Sequence, residues 1–316
     1  MNQLAPPVDL SQLQTFYEVA RLGSVRRAAE VLHCSQPAVS HRLRALQEDL
    51  GVALFERVGR TLALTAAGDR LRHQCQDLFA LSQNIRDAVR ADSETIHGTV
   101  TIGTYPTVSS QLLVPALHQL LVEHRALQVT LKLGFTEPLC DELRSGNADI
   151  LLLIGAERHP GLQMKTVGRD ALVAVMSPTL APRRRGQVSP EELRNLRYLC
   201  WSGPRDPTFE AAQGYAQRHG LLTERSPLVP HTETLRALAV AGAGYTILPS
   251  YTARAEVQAG HLVALAPKGL KNRLSFQLIT RRGQVVTAAL RAVEQALIGL
   301  QFDISRRPRQ PATRRT

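Results

Sequence analysis

The chain of 316 residues contains no apolar run near the roughly 20 residues that a membrane-spanning helix needs. Its first residues, MNQLAPPVDL, do not pair a basic segment with an apolar one, so no secretory signal is predicted. The four cysteines lie tens of residues apart, without a C-x-x-C motif or a Cys/His cluster, which argues against a structural metal site. We therefore expect a cytoplasmic protein without membrane attachment, whose thiols are reduced.

Positive charge is abundant but unevenly distributed. The formal net charge is +11, yet residues 1–97 contain eleven arginines, no lysine and eleven acidic residues, so this part is neutral overall. Much of the excess lies at 183–185 and in the tail 303–316, which is rich in arginine and contains two prolines. We expect that tail to be disordered and solvated, the alternative being an arm that binds DNA non-specifically. A nucleic-acid function must therefore rest on where the cations are placed, because total charge does not establish it.

Residues 24–50 have the pattern of two short helices joined by a tight turn. Ser24 is a suitable N-cap for a first helix over about 25–32, and Ser35 is a suitable N-cap for a second. Pro37 falls in the first turn of the second helix, where its missing N–H costs nothing. The apolar positions of the second helix then recur at intervals of four, three and four residues: Val39, Leu43, Leu46 and Leu50. This spacing predicts a helix-turn-helix whose second helix packs on one side only.

The other side of the second helix carries side chains that suit contact with duplex DNA. For reading bases we predict Gln36, Pro37, Ser40 and His41, with Ser35 beside them at the helix start. For phosphates or the minor groove we predict Arg42, Arg44, Arg57 and Arg60. The last two lie in a turn with short alternating strands, which would form a wing. The alternative is a pair of ordinary surface helices whose polar side chains are merely solvated.

These residues, in this order, resemble the N-terminal signature of LysR-type transcriptional regulators. The resemblance covers about sixty residues and includes Ala28-Ala29, SQPAVS (35–40), Leu50-Gly51, LFER (54–57) and LTAAG (64–68). It implies a winged helix-turn-helix over 1–68 that binds double-stranded promoter DNA. RNA polymerase is a further candidate partner.

A long helical pattern follows over 69–96. Leu71, Leu78 and Ile85 recur every seven residues, with Cys75, Leu81 and Val89 beside them. A seam of this kind favours pairing with another helix, although it could also pack on its own domain. The resemblance implies a dimerising linker helix, a homodimer and commonly a homotetramer.

From residue 97 onward, strand patterns alternate with helix patterns, as in an α/β fold. Among them we predict a helix over 109–124 and a strand over 197–201. We predict two lobes resembling a periplasmic binding protein within 97–302: lobe I over 97–168 and 271–302, and lobe II over 169–270. In the LysR-type family this is the inducer-binding domain, and three segments match its pattern: GFT (134–136), LRSGNAD (143–149) and AGAGYTILP (241–249). The segment 104–115 is one residue longer than in many members.

The cleft between such lobes is the expected ligand site, because open α/β sheets bind ligands beyond the carboxyl ends of their strands. The candidate effector contacts are Thr104, Thr107, Thr136, Trp201, Ser202 and Thr232. Hydroxyls and free amides there would suit a small anionic or polar metabolite, and the single tryptophan could cover an apolar part. Each Ser or Thr could instead be a simple helix cap.

The sequence thus predicts a transcription regulator controlled by a small-molecule inducer of unknown identity, with no enzymatic activity and no other cofactor. One alternative is a redox-sensing regulator in which Cys200, near Arg197 and Arg205, is a reactive thiol. A thiol enzyme would need His231 or His219 as a base. A plain solute receptor would leave the N-terminal module without a purpose.

Overall fold

The computed structural model describes most of the chain, namely residues 8–58, 61–89, 96–155, 158–182, 186–203, 207–270 and 273–300. Arg60, the arginines at 183–185 and the tail 303–316 lie outside the described residues, so the predictions made for them are not addressed by the structure.

The N-terminal unit is a winged helix-turn-helix. Its elements are α1 (Leu10–Leu22), α2 (Val25–Val31), α3 (Gln36–Leu50) and the antiparallel pair β1 (Phe55–Val58) and β2 (Thr61–Leu64). Both predicted N-caps are present, since the Ser24 and Ser35 hydroxyls accept N–H groups of Arg27 and Ala38 at 3.3 Å. Phe16, Val19, Val39 and Leu46 are completely buried in the core between these helices.

A single helix, α4 (Ala66–Val89), leads out of the N-terminal unit. Its first half packs on that unit, because Cys75 is buried and Leu71 and Leu78 are half-buried against the same core. Farther along, Leu81 and Ile85 are exposed. The predicted seam is therefore divided between a half that packs on its own domain and a half that faces solvent.

The remaining elements form two lobes around one long strand, β6 (Leu162–Met176). Lobe I contains β3 (Gly98–Thr104), α5 (Pro106–Val108), α6 (Val114–Glu123), β4 (Leu127–Leu133), α7 (Thr136–Arg144), β5 (Ile150–Ile154), β12 (Arg273–Arg281) and α12 (Ala288–Ile298). Lobe II contains β7 (Gln187–Val188), α8 (Pro190–Arg194), β8 (Cys200–Trp201), α9 (Pro207–Arg218), β9 (Leu228–Val229), α10 (Thr232–Val240), β10 (Tyr245–Pro249), α11 (Arg254–Gln258) and β11 (Val263–Pro267).

The sheet topology explains how β6 serves both lobes. The strand order is β4-β3-β5-β12-β6-β11-β7, with β10 also pairing with β6. The part of β6 before Leu172 pairs with β12, whereas Leu172 and the residues after it pair with β10. The ILLLI run of β5 is buried at every position, as expected for a strand covered on both faces.

Two elements differ from the pattern-based prediction. The helix expected from residue 109 begins at Pro106 and passes through a π-helical turn, Ser109–Leu113, before α6. A π-helical turn accommodates one extra residue, which agrees with the longer 104–115 segment. The strand expected over 197–201 is confined to Cys200–Trp201, with a single bridge from Tyr198 to Tyr245.

The start of α4 depends on a close backbone approach at Gly68. A Cβ atom there would lie 2.1 Å from the carbonyl oxygen of Leu54, which is an impossible separation. We predict that Gly68→Ala destabilises the N-terminal unit by about 1–3 kcal/mol because α4 must move away from its core. The midpoint of urea unfolding, followed by circular dichroism, measures the effect.

Gly214→Ala is the matched control. Gly214 lies within α9, and the closest atom to an added Cβ is the flexible end of Arg218 at 3.3 Å. Alanine should be neutral there or stabilise by up to about 1 kcal/mol, because it favours the helix. Equal effects of the two substitutions would show that the contact with Leu54 is unimportant.

Candidate DNA interface and effector cavity

None of the predicted DNA-contacting residues of α3 is among its buried positions, which are Val39, Leu43 and Leu46. Gln36, Pro37, His41 and Arg44 are exposed, and Ser40 and Arg42 are half-buried. Ser35 is also exposed, but its hydroxyl is engaged as the N-cap of the helix. We call this set, Ser35 to Arg44 without the buried Val39 and Leu43, the recognition face. Arg57 is exposed on β1.

A side chain that the sequence analysis did not single out ties this face to the wing. The Gln47 Oε1 atom accepts the N–H groups of Leu54 at 2.8 Å and Phe55 at 3.4 Å. The Phe55 ring then packs against Phe16 in the core, with ring centroids 5.4 Å apart. These contacts fix the wing, and with it Arg57, relative to α3.

Between the lobes lies a cavity of about 760 Å³. Three of the predicted effector contacts line it: Thr107 from lobe I, and Trp201 and Thr232 from lobe II. Aromatic and apolar side chains contribute much of the remaining wall, among them Tyr105, Phe135, Ile154, Phe209 and Tyr251. The cavity therefore receives groups from both lobes, as the cleft argument predicts.

The other three predicted contacts do not line the cavity. The Thr104 side chain is buried, and its hydroxyl donates to the Leu152 carbonyl at 2.6 Å, which ties β3 to β5. The Thr136 hydroxyl is hydrogen-bonded to the Tyr105 hydroxyl at 2.6 Å and so positions a ring of the wall. Ser202 is exposed, and its N–H donates to the Val229 carbonyl. In the structure these three residues therefore form hydrogen bonds within the protein and do not line the cavity.

A hydrogen bond crosses the cavity from one lobe to the other. The hydroxyls of Thr107 and Tyr251 lie 2.9 Å apart. Tyr251 is itself held at the lobe junction, because its N–H donates to a carboxylate oxygen of Asp170 at 3.0 Å. Burial raises the pKa of Asp170, while this N–H and the Ser250 hydroxyl favour its charged form.

Cys200 does not have the surroundings of a reactive thiol. It is buried, and its thiol donates to the Trp201 carbonyl at 3.4 Å. Burial raises the pKa of Cys200, which lowers the fraction present as the nucleophilic thiolate. Across the described ranges of the chain there is no group of three or more potential metal ligands. Nor is any helix in those ranges long and apolar enough to cross a membrane.

A winged helix-turn-helix, joined by a long helix to two lobes that enclose a cavity, defines a DNA-binding regulator with an effector domain. Comparison with protein families agrees with this. Residues 10–69 match the family described as "Bacterial regulatory helix-turn-helix protein, lysR family", and residues 93–300 match "LysR substrate binding domain". The chain belongs to the LysR family of transcriptional regulators.

Individual relatives cover nearly the whole chain. It is similar to the RuBisCO operon transcriptional regulator of Acidithiobacillus ferrooxidans, with 26% identity over 96% of this chain and 97% of the relative. Its fold is similar to that of a full-length OxyR variant from Pseudomonas aeruginosa, with a TM-score of 0.68 and 20% identity, covering 97% of this chain and 100% of that chain. A second similar structure is LysG of Corynebacterium glutamicum with bound effector Arg, with a TM-score of 0.63 and 18% identity, covering 92% of this chain and 97% of that chain.

The burial of the thiols predicts their order of reaction with iodoacetamide. Cys34 is half-buried, whereas Cys75, Cys140 and Cys200 are buried and have raised pKa values. At neutral pH we expect Cys34 to be alkylated first and the other three only after unfolding in urea. Alkylation of Cys200 should quicken as pH rises because its thiolate fraction increases. Mass spectrometry of the peptides measures each rate.

The Cys34→Ser variant provides the control, since it should lose the fast reaction and leave the slow ones unchanged. Alkylation of Cys200 in the native protein as fast as that of Cys34 would contradict its inert environment and would revive the redox alternative.

Proposed function

We propose that this protein binds promoter DNA through the recognition face and the wing, and that a small molecule held between the lobes controls that binding. The observation that carries the proposal is the exposure of Gln36, His41 and Arg44 on one side of a helix whose other side is anchored in a core. A rigid helix with such a face is suited to entering the major groove.

The roles within the face follow from side-chain chemistry. Gln36, Pro37, Ser40 and His41 would contact base edges, and Arg42, Arg44, Arg57 and Arg60 would contact phosphates or the minor groove. Ser35 would offer its backbone or hydroxyl near a phosphate. Because residues 1–97 are neutral overall, non-specific attraction to DNA is limited, and specific contacts must supply much of the affinity.

Dimerisation would place two recognition faces on neighbouring half-sites. The exposed Leu81 and Ile85 of α4 are one apolar surface for this contact. Lobe I offers another on β4 and α6, where Leu131, Leu133 and Val122 are exposed. Two different surfaces of this kind allow a dimer and then a homotetramer, which at a promoter could also contact RNA polymerase.

The effector would contact Thr107, Trp201 and Thr232. A ligand bound there touches both lobes, so it favours whichever lobe orientation gives it the better contacts. That preference is the source of control, since a ligand with equal affinity for both orientations would shift nothing.

The proposal is tested by selecting genomic DNA fragments with the purified protein at physiological salt and sequencing them. We expect a few promoter regions that share an inverted repeat, and we expect the double variant Gln36→Ala, Ser40→Ala to lose them. If neither protein enriches any region, with or without extracts of small metabolites, the proposal fails.

A single substitution tests direct base contact. Gln36→Ala should weaken binding to a selected promoter by about 1–3 kcal/mol, as for the loss of a bidentate base contact. Binding to unrelated DNA should change little, because phosphate contacts dominate it. Fluorescence anisotropy of both duplexes at several salt concentrations gives the ratio of the affinity for the selected promoter to the affinity for unrelated DNA.

Gln187→Ala is the matched control, because Gln187 is exposed on β7 in lobe II. It should alter neither affinity. Equal weakening of specific and non-specific binding by Gln36→Ala would remove Gln36 from the set of base-reading residues.

A charge on α4 tests the dimer contact. Ile85 is 58% exposed, and Ile85→Arg should favour the monomer because it places a cation in an apolar interface. Leu228→Arg is the control, since Leu228 is 67% exposed but lies on β9. Analytical ultracentrifugation of both variants measures the association constant. Dissociation of both, or of neither, would argue against an α4 interface.

A further inference from the structure

The cavity wall is much richer in aromatic side chains than the chain as a whole. The sequence contains seven Phe, six Tyr and one Trp, and five of these fourteen line the cavity. They are Tyr105, Phe135, Trp201, Phe209 and Tyr251. Rings concentrated in this way present flat apolar surfaces and ring edges, which interact well with another ring.

The central ring of this wall is held rigidly. Trp201 stacks on Phe209 with centroids 3.9 Å apart and an interplanar angle of 9°. Gly203 lies against the indole, since a Cβ there would come within 2.4 Å of Cζ2. The Gln213 side-chain amide donates to the Trp201 carbonyl at 2.6 Å. A wall fixed before binding loses little conformational entropy when a ligand packs on it.

The charge in the wall is low. Among the described residues that line the cavity there is neither lysine nor arginine, the only carboxylate is that of Glu233, and the only imidazole is that of His231. Glu233 pairs with Arg236 of the same helix, so its charge is offset. A multiply charged anion would lose its hydration in the cavity without gaining an ammonium or guanidinium partner from these residues. This differs from the anionic or polar metabolite that the sequence pattern suggested.

Hydroxyl groups are the commonest polar side-chain groups in the described wall of the cavity. Thr107 and Tyr251 meet across the lobes at 2.9 Å, and Ser110 and Thr232 also line the cavity. Hydroxyls both donate and accept, so they match a phenol, an amide or a ketone without requiring a formal charge.

From these observations we infer that the effector is an uncharged aromatic compound of one or two rings that packs beside Trp201 and Phe209 and hydrogen-bonds through the hydroxyls of Thr107 and Tyr251. The volume of about 760 Å³ lies within the range of roughly 300–1,000 Å³ that is usual for sites of small ligands. The inference rests on the proposed function in taking this cavity as the effector site.

The test uses the full chain and the uncharged fluorescent probe N-phenyl-1-naphthylamine. Because Trp201 is the only tryptophan, its emission and its energy transfer to the probe report on this part of lobe II. We expect saturable binding of one probe per chain and displacement by benzyl alcohol or 4-hydroxybenzamide. Inorganic phosphate and citrate should not displace it.

Substitutions locate the probe. Ser110→Phe adds a ring at the exposed rim of the cavity and should weaken probe binding about tenfold, which corresponds to about 1.4 kcal/mol. Phe209→Ala removes the ring stacked on Trp201 and should weaken it about fivefold. Phe79→Ala is the matched control, because Phe79 is a half-buried ring on α4 outside this cavity, and it should leave binding unchanged.

Three results would overturn the inference. These are no saturable binding, binding that neither cavity variant alters, and displacement by citrate or phosphate that Arg205→Ala abolishes. Arg205 lies outside the described residues, and the last result would establish an anion site that depends on it.

Failure of the proposed function would look different. The probe would bind the cavity as expected, while fragment selection would enrich no promoter and Gln36→Ala would change nothing. Gln36→Ala should itself leave probe binding intact, because Gln36 lies on α3.

Discussion

The effector domain depends on the hydrogen-bond ladder of one strand, β6. Its first part pairs with β12 in lobe I, and from Leu172 onward it pairs with β10 in lobe II. Because the backbone bonds run through the junction, the lobes can change their angle only by bending and twisting a shared sheet. Asp170 lies at this junction and binds Ser250 and the backbone of Tyr251. The carboxylate thereby sets where the ring of Tyr251 enters the cavity, and the hydrogen bonds offset the cost of burying its charge.

Features encoded locally were predictable from the sequence. The caps Ser24 and Ser35 and the spacing of Val39, Leu43 and Leu46 lie within a few residues of the helices that they specify. The cavity is a different case, because Thr107 meets a residue 144 positions away. Position after a strand suggested Thr107 and Trp201, which line the cavity, but it also suggested Thr104, whose hydroxyl binds the neighbouring strand. A hydroxyl at the end of a strand can point into the cavity or toward the neighbouring strand, and tertiary packing determines which of the two it does. The same positional signal would have found Tyr105 and Phe135, had rings been considered beside hydroxyls.

The two proposed binding surfaces of the chain differ in their chemistry. The recognition face is exposed and polar, with a few arginines in a unit that has no net charge. The described cavity wall is aromatic, with hydroxyls and one paired carboxylate. A compound that suits the cavity would have little affinity for the recognition face, so effector and DNA would not compete for one site. Their influence on each other must pass through the protein between them.

The contacts of α4 connect the effector domain to the N-terminal unit and allow the size of a transmitted movement to be calculated. Gln76 donates to the Ser145 carbonyl and Asn84 to the Val286 carbonyl, both in lobe I, while Gly68 and Cys75 are seated in the N-terminal unit. From Asn84 back to Ala66 the helix rises about 27 Å. If α4 tilts as a rigid rod about the end at Asn84, a tilt of about 7° moves the end at Ala66 by about 3 Å. This displacement is close to the roughly 3.4 Å between successive bases of one DNA strand. A small rotation of a lobe that tilts α4 would therefore displace the attached N-terminal unit by about one base-pair step.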